Sequence, residues 1–66
     1  MNIRVNGEVR AVAAGCTIAQ LIGQLGLAGQ RLAVEINEEI VPRSAHDRHV
    51  LAEGDRVEIV HAIGGG

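Results

Sequence analysis

The chain contains no tryptophan, tyrosine or phenylalanine, no lysine, and only one cysteine and one proline in 66 residues. Without aromatic rings it has no platform on which nucleic acid bases could stack. Its formal net charge of −2 and its mixed charge pattern also provide no basic stripe for a phosphate backbone. We therefore expect no nucleic acid partner.

The single cysteine, the short apolar runs and the small size of the chain indicate its cellular compartment and its class of protein. A single cysteine excludes an internal disulfide framework and fits a reducing cytosol. No apolar run approaches about 18 residues and the first residues resemble a strand rather than a secretory signal, so we expect a cytoplasmic protein without a membrane partner. A domain this small buries only about 60% of its unfolded surface. It can hardly enclose a deep catalytic pocket, which favours a carrier or binding module over an autonomous enzyme.

The first residues predict a β-hairpin. Residues 1–5 alternate between apolar and polar side chains, and Asn6-Gly7 is the strongest short signal for a hairpin turn. Two registers remain open. A strict two-residue loop pairs Ile3 with Arg10, whereas a bulge at the glycine pairs Ile3 with Ala11.

A short helix follows the hairpin. Thr17 and Gln20 have the spacing of a capping box, and Gly26 is suited to a left-handed C-cap closed by Leu27. Between these ends, one apolar stripe at helical spacing is formed by Ile18, Leu21, Ile22 and Leu25. A helix of this length is too short to be stable alone, so it must pack on a sheet.

The rest of the chain predicts three strands and then a glycine-rich end. Alternation indicates strands over 32–36 and 57–61, with a short strand at 40–41 that ends at Pro42. Ser44 is expected to cap one helical turn. The order strand, strand, helix, strand, short strand, strand predicts an α+β fold with a mixed five-stranded sheet, one main helix across one face, and the last strand beside the first. This order is that of the ubiquitin-like β-grasp.

The chain closes with three glycines directly after the last predicted strand. The expected organisation is therefore a β-grasp domain over 1–62 and a flexible tail over 63–66. Gly64 and Gly65, which have no Cβ, could thread a narrow channel in a partner and deliver the carboxylate of Gly66. Attack of that carboxylate on the α-phosphate of ATP gives an acyl-adenylate, from which a sulfur nucleophile can displace AMP.

The motifs of the whole chain resemble one family. They are Asn6-Gly7-Glu8, Ala33-Val34-Glu35-Ile36-Asn37, Ile40-Val41-Pro42-Arg43-Ser44, Glu53-Gly54-Asp55-Arg56-Val57-Glu58-Ile59-Val60 and Gly64-Gly65-Gly66. Together they are similar to the ThiS family, the sulfur carriers of bacterial thiamine biosynthesis.

The resemblance implies a β-grasp fold and a protein co-substrate rather than an enzyme. Gly66 would be adenylated by a ThiF-like enzyme and converted to a thiocarboxylate. The thiocarboxylate would give its sulfur to the thiazole ring built by a ThiG-like synthase. No cofactor would be bound by the carrier itself, since ATP and Mg²⁺ are used by the activating partner.

Several alternatives to this function stay open. The small subunit of molybdopterin synthase has the same fold and a diglycine end, although the short length and the Ile-Val-Pro-Arg stretch favour the thiazole branch. A third branch feeds sulfur to cysteine or methionine synthesis. Two classes of protein contrast with a sulfur carrier. One is a ubiquitin-like interaction module with an inert tail, and the other is a modifier that forms isopeptide bonds.

The surface that meets a partner is expected on the sheet face away from the helix. Val60 and Ala62 alternate away from the core residues of the last strand, and Ile63 is a candidate anchor beside the tail. These three residues are the predicted partner interface.

Four residues could carry other chemistry, but simpler roles are expected. Cys16 precedes the helix cap, where a redox or persulfide role is conceivable, yet a small residue tolerated in a loop is the simpler interpretation. His46 and His49 are expected as surface histidines rather than metal ligands, since two ligands do not make a metal site. His61 is expected at the edge of the core.

Overall fold

The computed structural model describes residues 1–62, which form one mixed sheet and one α-helix. The elements are β1 (Asn2–Val5), β2 (Glu8–Ala11), α1 (Ile18–Gln24), β3 (Leu32–Ile36), β4 (Glu39–Val41), a 3₁₀ turn (Arg43–Ala45) and β5 (Arg56–His61). The order across the five-stranded sheet is β2-β1-β5-β3-β4. Strand β5 is parallel to β1 and antiparallel to β3. The predicted fold class is therefore confirmed, including the last strand beside the first.

The first hairpin adopts the strict two-residue register. Ile3 pairs with Arg10, and both turn residues have left-handed backbones, with φ of 50° at Asn6 and 87° at Gly7. Two consecutive positive φ values are typical of a type I′ turn, whose twist matches that of the strands, so no bulge is needed. The consequence is that Arg10 lies half-buried on the helix side of the sheet, with its Nε atom buried and unpartnered among residues 1–62.

Both predicted helix ends are confirmed. Thr17 and Gln20 form the capping box, since each side chain accepts from the other residue's backbone N–H. At the other end, Leu27 N donates to the carbonyl of Ile22 (3.0 Å) and Gly26 N to that of Gly23 (3.1 Å). These two bonds make a Schellman motif.

The core lies between α1 and the helix-facing side of the sheet. Its ten buried apolar residues are Ile3, Val12, Cys16, Ile18, Leu21, Val34, Ile36, Leu51, Val57 and Ile59.

Cys16 is only 3% exposed, with Sγ 3.5 Å from the Thr17 carbonyl. Its segment is a loop, as predicted, and its side chain is part of the core. The reason is that the loop folds under the helix, with Leu51 N donating to the Cys16 carbonyl.

The segment after β4 differs from the prediction in two ways. Ser44 does not cap a helical turn; it lies inside the 3₁₀ turn, and Pro42 occupies the N-cap position without a side-chain bond. His46 is not a surface histidine: it is 8% exposed, and its Nε2 lies 3.1 Å from the Val41 carbonyl. His49 is half-buried. The His46 side chain turns inward, whereas its neighbours Asp47 and Arg48 are exposed. No helix within residues 1–62 has the length and apolar character needed to cross a membrane.

Candidate partner-binding face and tail root

The end of β5 is attached to the connector that precedes β3. Ala62 N donates to the Arg31 carbonyl at 3.0 Å, and the Nε2 of His61 is hydrogen-bonded to the Oε1 of Gln30. His61 is exposed, so the expectation that it lies at the edge of the core was wrong. Strand alternation places it on the helix side, but it is the last residue of β5, beyond the core residues Val57 and Ile59. We call His61 and Ala62, the last residues before 63–66, the tail root.

Two turn asparagines hold β5 from both sides. The Ile59 N–H donates to Asn6 Oδ1 (2.8 Å) and the Asn6 Nδ2 donates to the Ile59 carbonyl (3.1 Å). On the other side, the Arg56 N–H donates to Asn37 Oδ1 at 2.9 Å and the Asn37 N–H donates to the Arg56 carbonyl at 2.8 Å. The strand that leads to the tail root is thus fixed along its length. The Asn-Gly turn signal was visible in the sequence, but these long-range bonds were not.

The sheet face away from α1 carries no helix, and we call it the open face. It includes Asn2, Arg4, Val9, Ala11, Ala33, Glu35, Ile40, Arg56, Glu58 and Val60. Val60 is 58% exposed on this face and pairs with Ala33. Ile40 and Val9, on the outer strands, are 74% and 63% exposed. These three side chains lie on separate strands, so each is an isolated apolar group on the face rather than part of one continuous patch.

The predicted interface and tail residues fall partly within this arrangement. The structure places Val60 on the open face and Ala62, half-buried, at the tail root. Ile63, the expected anchor, and the glycines Gly64, Gly65 and Gly66 lie outside the described residues. The tail and its roles therefore stay predictions.

Within residues 1–62, no group of three or more His, Cys, Asp or Glu side chains could hold a metal ion. A cleft of about 270 Å³ lies between α1 and the 3₁₀ turn, lined in part by Ile22, Leu32, Arg43 and His46. It is on the helix side of the sheet, away from the open face.

Comparisons with known proteins identify relatives along the whole chain. The model of the ThiS family matches residues 3–66. The sulfur carrier protein ThiS of Escherichia coli is 35% identical over 66 residues, which cover 100% of both chains. The crystal structure of a thiamine biosynthesis protein (ThiS) from Geobacter metallireducens superimposes with a TM-score of 0.86 at 35% identity, again covering 100% of each chain.

A further relative is much longer than this chain. A thiazole synthase from Paramagnetospirillum magneticum is 44% identical over 66 residues, which are 100% of this chain but 20% of that protein. A thiazole synthase from Magnetococcus marinus matches in the same proportions. The chain thus spans about a fifth of the length of these two relatives.

Proposed function

Since this chain belongs to the ThiS family, we propose that it is a sulfur carrier of thiamine biosynthesis that acts as a protein co-substrate. The observation that carries the proposal is the full-length similarity to a sulfur carrier together with the three glycines that follow the tail root. A rigid domain that ends in residues without side chains fits the delivery of a carboxylate into a partner's active site.

The chemistry follows from the terminal carboxylate. A carboxylate oxygen of Gly66 attacks the α-phosphorus of ATP, the bond to pyrophosphate breaks, and an acyl-adenylate forms. A sulfur nucleophile supplied by a partner, a hydrosulfide in the simplest case, attacks the acyl carbon and displaces AMP. The product is a thiocarboxylate on Gly66. A ThiF-like enzyme would bind ATP and Mg²⁺, so the carrier itself needs no cofactor.

The tail root supports this role physically. β5 is hydrogen-bonded on both sides, and Ala62 is tied to Arg31. Because the base of the tail is fixed, docking of the domain also sets the position from which Gly64 and Gly65 would thread. The glycines would lose their own conformational freedom only when they enter the partner's channel, and the carboxylate is then held against ATP.

The longer relatives favour the thiazole branch over molybdopterin or amino acid synthesis. In each of them a segment similar to this chain is part of a polypeptide named thiazole synthase. Covalent attachment raises the effective concentration of two modules that act on one another. A ThiG-like synthase is accordingly the proposed acceptor of the sulfur.

Intact mass measurement of the protein from thiamine-starved cells tests the proposal. We expect replacement of one oxygen by sulfur, located at Gly66 by fragmentation. Location matters because oxidation of Met1 or Cys16 gives nearly the same mass change. A Gly66 that is unmodified and also fails to react with ATP and a ThiF-like enzyme would contradict the carrier function and favour an inert interaction module.

A variant that lacks Gly66 is the control for both assays. It keeps residues 1–62, so it should fold and still bind a simple partner, but it should lose adenylation. Higher-mass conjugates in cells would instead indicate a protein modifier.

A further inference from the structure

Two arginines lie directly opposite each other on the open face. Arg4 of β1 is in register with Arg56 of the parallel strand β5, and both are exposed. Like charges in directly opposed positions destabilise a sheet, so this arrangement brings nothing to the stability of the free domain. It creates a site of concentrated positive charge in the middle of the face.

Two glutamates repeat this arrangement with the opposite sign. Glu58 follows Arg56 by two residues on the same face of β5, and it is in register with Glu35 of β3. Two residues of a strand span about 6.6 Å, so the acidic row lies directly beside the basic row. Arg4, Arg56 and Glu58 are exposed and Glu35 is half-buried, so all four charged side chains reach the surface. The two rows therefore remain available to groups of a partner.

The next row along β5 is apolar. It consists of Val60 and Ala33, which are exposed and in register. Ala62 of the tail root lies two positions after Val60 in the sequence. Along β5 the open face is thus ordered in bands toward the tail: basic, acidic, apolar, tail root. On the outer strands, Val9 and Ile40 continue the basic and the acidic row with apolar side chains. A small free anion would find Glu58 beside the arginines, so the pattern suits an extended protein surface rather than a single ion.

We propose that this banded charge pattern sets the register in which the open face docks on the adenylating partner. The partner would place carboxylates over Arg4 and Arg56, basic groups over Glu35 and Glu58, and apolar side chains over Val60. The inference rests on the proposed function and adds the chemistry of the partner's surface.

The order of the bands gives the docking a direction. Rotation of the domain by half a turn about a point between the two charged rows would bring charges of the same sign together. Rotation about the acidic row would instead place the arginines over apolar groups of the partner. Both arrangements are unfavourable. Only one orientation satisfies the bands, and in that orientation the tail root points to a fixed side of the partner. Charge would therefore select the complex in which the tail can enter the active site.

The test is the double variant Arg4→Glu/Arg56→Glu in ATP–pyrophosphate exchange catalysed by a purified ThiF-like enzyme. We expect the KM for the carrier to rise about tenfold or more at low salt, with kcat nearly unchanged, because encounter and register are impaired rather than chemistry. The difference should shrink at about 0.5 M salt, where screening extends over only a few ångströms.

Arg43→Glu/Arg48→Glu is the matched control. It makes the same change in net charge at exposed residues of the segment after β4, and it should move KM less than about threefold. If the KM for the carrier rose equally in Arg4→Glu/Arg56→Glu and in Arg43→Glu/Arg48→Glu, the proposal would be overturned, since the change in net charge alone would then explain the effect. Arg4→Gln/Arg56→Gln removes the repulsion between the arginines and should fold at least as stably as the wild type, with a smaller increase in KM.

Two further outcomes are distinguishable. Absence of exchange with the wild-type chain would contradict the proposed function, and the docking proposal would fall with it. A wild-type chain that dimerises in sedimentation experiments, while Arg4→Glu/Arg56→Glu stays monomeric, would show that a second copy occupies the face and would also overturn the proposal.

Discussion

The side chain of Asn6 pairs with the backbone of Ile59 as if it were one more peptide group of β1. Its Oδ1 accepts from the Ile59 N–H at 2.8 Å, and its Nδ2 donates to the Ile59 carbonyl at 3.1 Å, across 53 positions of sequence. The last backbone bond from β1 to β5 runs from the Asn6 N–H to the Val57 carbonyl at 2.8 Å, because the chain then turns into the hairpin, with φ of 50° at Asn6. The side chain continues the ladder after the backbone has left it, and so extends support for β5 toward the tail root.

Replacement of Asn6 by glycine isolates this contribution. Glycine adopts a positive φ without strain, so the turn is retained while both bonds to Ile59 are lost. We expect the free energy of unfolding to fall by about 1–3 kcal/mol, measured by urea denaturation. Asn6→Asp, which keeps the acceptor but not the donor, should lose less. A glycine variant as stable as the wild type would show that the pairing contributes nothing.

The second hairpin contains a residue that is poorly suited to its backbone. Glu38 is exposed and has φ of 72°, a left-handed conformation that costs a non-glycine residue roughly 1–2 kcal/mol. Glycine removes this cost, but it also gives the unfolded chain more conformational entropy, which offsets part of the gain. We therefore expect Glu38→Gly to raise the free energy of unfolding by about 0.5–1 kcal/mol in the same assay. Asn37→Gly is the matched control and should destabilise, because the Asn37 side chain binds Arg56 and Asp55.

Two glycines of the helix region should respond to alanine with opposite sign. Gly23 lies inside α1, and a Cβ added there meets no atom within 4 Å, so Gly23→Ala should stabilise by up to about 1 kcal/mol. Gly26 has φ of 73° in the Schellman motif, so Gly26→Ala should destabilise by about 1 kcal/mol. Thermal unfolding of the two variants beside the wild type measures both effects. If Gly23→Ala and Gly26→Ala changed the stability in the same direction, the assigned helix end would be contradicted.

Burial should protect the thiol of Cys16. At 3% exposure the sulfur is reached only after local or global opening, so an aromatic disulfide reagent should react slowly in native buffer and rapidly in urea. We also expect Cys16→Ser to lower the free energy of unfolding by about 1–3 kcal/mol, because a hydroxyl group replaces an apolar group in the core. Fast labelling of the folded protein would revive a redox or persulfide role for this residue.

Val60 allows a test of the open face that does not disturb folding. Val60→Arg changes a side chain that is 58% exposed, so stability should change by less than about 0.5 kcal/mol. The KM for the carrier in adenylation should rise at least about fivefold if Val60 is a central contact. Val50→Arg, at 56% exposure and outside the open face, is the control and should adenylate normally. An unchanged KM in Val60→Arg would remove this residue from the interface.

The sequence by itself determined the parts of this protein that depend on neighbours along the chain. The Asn6-Gly7 turn, the Thr17 capping box and the Gly26 helix end each rest on groups within a few residues of one another. Strand alternation also separated the core residues of β5 from Val60 on the opposite face. Such features follow from backbone geometry and side-chain type, and they were predicted correctly.

Only the tertiary structure decided which distant groups meet. Cys16 and His46 became buried because loops fold onto the core, and His61 stayed exposed at the end of β5, beyond the core residues of that strand. The two bonds between Asn6 and Ile59, and the opposed charges of the open face, depend on β5 lying between β1 and β3. Periodicity within a segment shows which residues share a face. It does not show which segment will cover that face, because this depends on the packing of the whole chain.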